Sequence, residues 1–273
     1  MKNKNLLGGI LATAAALMGI IGHMALFLKW YQIGMHTPSA EPGCEILLKY
    51  IHPLMADFGI LGGVLFGVSA YGFFTRKNWA FFLTVVALVL ALLGSWFINV
   101  PYMAAGLPPI YFPLFWSYLL LYFLFLRLIG RISWSRTLLS LLTGVAYIFC
   151  WMNGVSSTSR IITHGDPIFV LVERLHWVAM IGWAVVTIGI VIKPKEWMRM
   201  IGLAAAVTEL VVGTPLTIAT AQQLGRFSLF ALAPISCLAL LVILIWPGVW
   251  QRWTEMEKTK VEKTSQQPAL QQT

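Results

Sequence analysis

Eight stretches of the chain run for about 20 residues each with almost no charge, and this pattern leaves little choice of fold. They cover roughly 6–28, 54–74, 79–99, 110–129, 137–157, 171–192, 199–219 and 228–248. A run of that length matches the hydrocarbon core of a bilayer. No water is present there to satisfy backbone N–H and C=O groups, so an open sheet is excluded and helices are the solution. The expected fold is an all-α integral membrane protein with eight transmembrane helices. Only 11% of the 273 residues are charged, against about 25% in a soluble domain. The formal charge of +9 is therefore not the footprint of a nucleic-acid binder. The expected surroundings are a lipid bilayer, with no nucleic-acid partner.

The placement of charge orients the spans. Of 19 Lys and Arg residues, Lys29, Lys49, Arg160, Arg174 and Arg226 fall on one set of span ends and all others on the opposite set. The basic side is the cytoplasmic one. Both termini are then cytoplasmic, which agrees with an even number of spans and places the chain in the cell membrane. The first run follows Lys2 and Lys4 as a signal peptide would. It is longer than a usual signal-peptide core and more spans follow, so it reads as an uncleaved first helix.

The chain also divides in two. Each half opens with a span and a longer external loop holding a histidine and a proline, His36 and Pro38 or His164 and Pro167. Each next enters a span through a histidine, His52 or His176. A basic turn with tryptophan and a later proline follow in both. This predicts a tandem repeat of two four-helix bundles, 1–129 and 130–250, with a polar cytoplasmic tail over 251–273. Four spans per half give both halves the same orientation. Loop 101–109 has no charge and is expected to dip into the membrane or pack on the bundle. Glycines at 62, 63, 67 and 182 are expected to allow close helix approach.

Candidate chemistry concentrates on a few residues. His52 and His176 each sit at the external end of a span, where a neutral imidazole can reach a cofactor between helices. His23 lies deeper in the first span. All three are candidate axial ligands of a haem iron, with His52 and His176 the leading pair. Glu173, one helical turn from His176, is a candidate to accept from its ring and fix the tautomer. Arg174 is a candidate for an anionic group such as a propionate or lipid phosphate. Asp57 and Glu209 are acids inside spans. A carboxylate there costs a few kcal/mol, about 3 on insertion scales, so it marks either a proton relay or a hydrogen bond between helices. Of three cysteines, Cys44 lies in a loop without a loop partner, and Cys150 and Cys237 lie within apolar runs. No structural disulfide is expected.

In its layout the chain resembles haem A synthase, a membrane enzyme of two four-helix halves in which histidines enter the second helix of each half. Glu173-Arg-Leu-His176 matches that family's Glu-x-x-His element in spacing. Lys49-Tyr-Ile-His52 keeps the histidine but has lysine for the acid. Leu93-Gly-Ser-Trp96 with Ala105-Gly-Leu-Pro-Pro109 resembles the family's third helix and following loop. The resemblance implies haem as cofactor and a redox or haem-modifying activity, with Glu173 among the catalytic residues. The family's second histidine in the fourth helix of each half has no counterpart, and Phe115 stands near the first of these positions. Its external cysteine pair is also absent. Any axial ligands must then come from His52, His176, His23 or a methionine.

Three functions follow. One is a haem-binding membrane protein exchanging electrons with a quinol or another redox subunit. Another is a transporter using Glu209 and Asp57. The third is a non-catalytic subunit or assembly factor of a membrane complex.

Overall fold

The computed structural model of the chain describes residues 2–38, 47–165 and 167–255. Cys44, Asp166 and most of the expected tail lie outside these. The described residues contain helices and no strand. Among the described residues, seven helices are long and apolar enough to cross a membrane: Asn3–His36, Leu47–Phe74, Ala80–Ala104, Phe112–Ile129, Trp134–Ser159, Phe169–Ile192 and Glu196–Gln223. A further pair, Leu229–Ile245 and Pro247–Thr254, is bent by 95° and makes an eighth if read as one span. Pro247 cannot donate to the preceding turn, which accounts for the break. The outward faces of these helices are apolar, with Ile21, Val68, Val178, Val211 and Leu238 exposed. A soluble protein would not present such surfaces on every helix; lipid contact explains them. The protein is a multi-pass helical membrane protein.

The chain forms two compact units. The first comprises Met1–Ile132 with Met152–Arg174, the second Ser133–Trp151 with Leu175–Thr273.

In the first unit, α1 (Lys2–Leu17) passes through a wide π-turn, Met18–Gly22, into α2 (His23–His36). The span therefore runs some two turns past the expected end at 28, because Lys29 and Gln32 tolerate an exposed helical face. A second π-turn, Leu47–Ile51, leads into α3 (His52–Phe74). The next elements are α4 (Ala80–Trp96), the short α5 (Asn99–Ala104) and α6 (Phe112–Leu124). The uncharged loop after Pro101 packs on the bundle, and Tyr102 and Tyr111 are fully buried. Close approach of the first π-turn and α3 depends on glycine. A Cβ at Gly63 would lie 2.7 Å from the backbone N of Ile20, and one at Gly19 would lie 2.6 Å from the Cα of Gly63.

In the second unit, the first part of α7 (Trp134–His164) packs with α8 (Pro167–Ile192) through hydroxyls. Ser140 Oγ donates to the Thr187 carbonyl at 3.1 Å, and Thr187 Oγ1 donates to Thr143 Oγ1 at 2.9 Å. Arg136 donates from Nε and Nη2 to the Ile190 carbonyl, at 3.0 and 2.8 Å, and from Nη2 to Val191 at 2.7 Å. Carbonyls at a helix C-terminus lack intrahelical donors and carry partial negative charge, so a guanidinium satisfies them. α9 (Glu196–Leu224) ends at Gly225, whose φ of 64° is a left-handed cap. α10 (Leu232–Ile245) and α11 (Pro247–Thr254) complete the unit.

Candidate functional site

Three histidines, His23, His52 and His176, are fully buried. Each has a different set of partners, and those partners decide what each ring can do.

His52 opens α3 directly after the π-turn, and both its ring nitrogens are engaged. Tyr102 Oη lies 2.8 Å from the Trp30 carbonyl, which can only accept, so the Tyr102 hydroxyl donates there. It must then accept from His52 Nδ1, 3.1 Å away. With its proton on Nδ1, His52 accepts at Nε2 from the Tyr111 hydroxyl at 2.9 Å. The result is a one-way chain from Tyr111 through His52 and Tyr102 to Trp30. Asn99 anchors it: Oδ1 accepts from the Tyr111 backbone N–H at 2.9 Å, and Nδ2 donates to Ser95 at 2.9 Å. Burial raises the pKa of the Tyr111 hydroxyl, with Tyr102 adding a smaller effect, so it stays a neutral donor.

His23 follows the first π-turn, Met18–Gly22. Its Nδ1 donates to the Gly19 carbonyl at 3.1 Å, while its Nε2 is buried without a hydrogen-bond partner. The ring stacks on Tyr118 at 6.0 Å between centroids and tilts against Tyr111 at 5.5 Å. Tyr118 Oη is also buried without a partner. The other wall is the α3 backbone at Gly59, where a Cβ would lie 2.1 Å from the imidazole. Two of the three π-turns among the described residues directly precede a buried histidine; the third, Phe125–Ile129, does not. An extra residue per turn shifts the following side chains around the helix axis, and such turns gather at functional positions.

In the second unit His176, on α8, meets Glu209, on α9. Nδ1 and Oε2 are 2.9 Å apart and both side chains are fully buried. Among the described residues, His176 Nε2 is buried without a hydrogen-bond partner. Glu209 also interacts with Cys150, and Cys150 Sγ lies 4.0 Å from Cys237 Sγ. The carboxylate on His176 is thus Glu209, 33 residues away, and not the neighbouring Glu173. Glu173 instead accepts from Thr158 Oγ1 at 3.0 Å in the first unit.

The remaining expected residues lie at the periphery. Asp57 and Arg174 are exposed, as is His36, whose Nδ1 donates to the Gln32 carbonyl at 2.8 Å. A cleft of about 580 Å³ in the first unit is lined by Leu47, Lys49, Tyr50, Ile51, Thr158 and a few neighbours, beside the π-turn that leads to His52. Its walls are largely apolar, and its size suits a small amphipathic molecule. Among the described residues, no group of three or more His, Cys, Asp or Glu side chains is arranged to hold a metal ion.

Sequence reading missed Tyr102, Tyr111, Asn99 and the cysteine pair. Asn99, Tyr102 and Tyr111 carried a signal: hydrogen-bonding groups clustered within 13 residues of an otherwise apolar stretch. The cysteines carried none beyond being cysteines. Together the fold and these sites define the class, a multi-pass helical membrane protein with histidines enclosed in polar sites inside each unit. Comparison with protein-family models, curated proteins and solved structures finds no match to this chain.

Proposed function

We propose that this is an eight-span redox protein of the cell membrane that binds haem through His176, a divergent relative of haem A synthase with a quinol as electron partner. In this reading the bent helix pair is the eighth span and both termini are cytoplasmic. The halves are a tandem duplication, which the matched histidine entries of the second and sixth spans support.

The observation that carries the reading is the orientation of His176. A ligating imidazole generally donates its second nitrogen to a carboxylate or carbonyl, which fixes the tautomer and strengthens the free lone pair. With Nδ1 donating to Glu209 at 2.9 Å, Nε2 is the free nitrogen, buried and unsatisfied. His23 has the same form, with Gly19 as acceptor, and is the second candidate ligand. His52 does not fit as it stands, because Tyr111 occupies its Nε2. Haem, when bound, supplies one-electron chemistry. The chain holds His176 in one tautomer through Glu209 and excludes water from both. Arg174, exposed beside this segment, remains the candidate for an anionic propionate. The cleft lined by Lys49, Tyr50 and Thr158 supports the quinol assignment, since it is apolar with a few polar groups. A transporter reading is weaker, because Glu209 is committed to His176 and Cys150.

The test is a reduced-minus-oxidised spectrum of the protein purified from haem-replete cells. Soret and alpha bands are expected. They should disappear in His176→Ala and persist in His52→Gln. Absence of bands in the native protein, as a purely structural subunit would give, refutes the reading.

A further inference from the structure

Five cations meet at one end of the first unit: Lys4 in α1, Arg76 and Lys77 after α3, and Arg127 and Arg131 at the close of α6. Packing brings these segments together. Lys4 Nζ donates to the Ile129 carbonyl at 3.5 Å, and Arg127 Nη1 donates to that of Ile132. The Phe73 and Phe125 rings stack at 6.2 Å between centroids, which joins the end of α3 to the end of α6. A Cβ on Gly130 would lie 2.4 Å from the Phe81 ring, so the Arg131 turn also abuts the start of α4, close behind Lys77. Among the described residues of this unit the acids are Asp57 and Glu173, and both lie toward the opposite end. Asp57 is in the first turns of α3, and Glu173 is bonded to Thr158 beside the Lys49–Tyr50 cleft. α1 and α4 begin at the basic end while α3 and α6 finish there, so their terminal dipoles offset and the formal charges set the field. Two of the arginines are also held in a strained backbone. Arg76 (φ 58°) and Arg131 (φ 52°) are left-handed, a conformation most often given to glycine. Arg76 follows the α3 cap: its N–H donates to Phe73 at 3.0 Å, and the Lys77 N–H donates to Gly72 at 2.7 Å. Around Arg131 the Ile132 N–H closes the corresponding turn onto Leu126 at 2.9 Å. Glycine would close either turn without strain, so neither guanidinium is what makes the turn.

We propose that this end of the first unit is a binding site for the phosphate of an anionic phospholipid. Like charges gathered without an acid repel one another. A phosphate diester relieves that repulsion and offers acceptors to the guanidinium and ammonium donors. A zwitterionic headgroup fits less well, because its own cation meets the same positive field. The position suits a headgroup, since the cations close off the apolar spans. Leu6, Phe74, Phe82 and Leu128 are exposed in the segments next to them and give the acyl chains an apolar surface, with the Trp79 indole as an interfacial anchor. Basic pockets between spans recognise lipid headgroups through this combination of charge and apolar wall. Neither haem nor His176 takes part.

The experiment follows thermal unfolding of the full chain in detergent with added phosphatidylglycerol, phosphatidylcholine or glycerol 3-phosphate. Phosphatidylglycerol at about a hundredfold its Kd should raise Tm by about 5–10 °C, and the other two by much less. The double variant Arg76→Gly with Arg131→Gly removes two charges and relieves both turns, so without lipid it should melt no lower than the native protein. It should bind phosphatidylglycerol about 25-fold more weakly and lose about two-thirds of the gain in Tm. Lys193→Gln with Lys195→Gln, at exposed basic residues of the second unit, should keep the full gain. Equal gains from the two lipids, or an undiminished gain in the arginine variant, overturn the proposal. An equal loss in the lysine variant reduces the effect to net charge and overturns it too. An equal gain from glycerol 3-phosphate makes this a site for soluble phosphates and overturns the lipid assignment. Where the arginine variant fails to fold, native mass spectrometry of the unaltered protein in an equimolar lipid mixture decides. Preferential retention of phosphatidylglycerol supports the site, and retention no greater than that of phosphatidylcholine overturns it.

Discussion

Removing the Glu209 carboxylate should cost far more than neutralising it. In Glu209→Ala the His176 Nδ1 proton loses its acceptor at 2.9 Å in a site where both side chains are fully buried. An unsatisfied buried donor costs about 1–3 kcal/mol, and the lost side-chain volume adds about 1 kcal/mol more. Glu209→Gln keeps an amide oxygen able to accept from Nδ1, so only the charge-assisted part of the bond is lost, about 1 kcal/mol. The gap between the two variants is therefore about 2 kcal/mol. For a chain of this size each kcal/mol moves Tm by about 2–4 °C, so Glu209→Ala should melt about 4–8 °C below Glu209→Gln. Intrinsic tryptophan fluorescence during thermal unfolding in detergent reads this directly, since 12 tryptophans are distributed along the chain. His176→Leu should then cost less in the Glu209→Leu background than alone, because removing both partners leaves nothing unsatisfied. Equal Tm for Glu209→Ala and Glu209→Gln, together with additive effects of the two leucine substitutions, would refute the pairing.

Two further substitutions test the first unit. Gly59→Ala places a methyl 2.1 Å from the His23 ring and should lower stability by about 1–3 kcal/mol, whereas Gly67→Ala meets only the Ala16 Cβ at 3.8 Å and should be neutral or gain up to about 1 kcal/mol in helix propensity. Similar melting curves for these two variants would contradict the packing of His23 on Gly59. Tyr102→Phe removes both a donor to Trp30 and the acceptor for His52 Nδ1, while Tyr111→Phe removes only the donor to Nε2. Thermal melts should show Tyr102→Phe as the more damaging, by about 1 kcal/mol; the reverse order would overturn the assigned direction of the chain.

Membrane class was legible in the sequence because it depends on local quantities, span length and absence of charge. What was not legible depends on helix rotation and on long-range pairing. Glu173 is the acid nearest His176 along the chain, yet α8 turns the imidazole toward α9, and only the packed bundle shows that Glu209 meets it. Asp57, read as a possible relay, is on an outer face. Loop 101–109 was legible as uncharged and membrane-associated, but not as the source of the tyrosine that holds His52. Pro101 sits in the first turn of α5, where its missing N–H leaves no helical bond unmade. The π-turns left no sequence mark at all, because Met18–Gly22, Leu47–Ile51 and Phe125–Ile129 differ in composition and share only their wide hydrogen-bonding pattern.

The histidines change rank once their partners are known. Position in the sequence made His52 and His176 equivalent, each opening a span from the same side. Hydrogen bonding separates them: the His52 ring is saturated, whereas His176 and His23 each keep one buried nitrogen without a partner. A buried nitrogen left open costs about 1–3 kcal/mol, and a neighbouring tyrosine, asparagine or hydroxyl can remove that cost. His52 shows how: Tyr102 and Tyr111 close both ring nitrogens. Open buried atoms occur elsewhere among the described residues, Tyr118 Oη being one, so what sets His176 apart is the Glu209 carboxylate 2.9 Å from Nδ1, which orients the ring and on the proposed reading leaves Nε2 for a ligand.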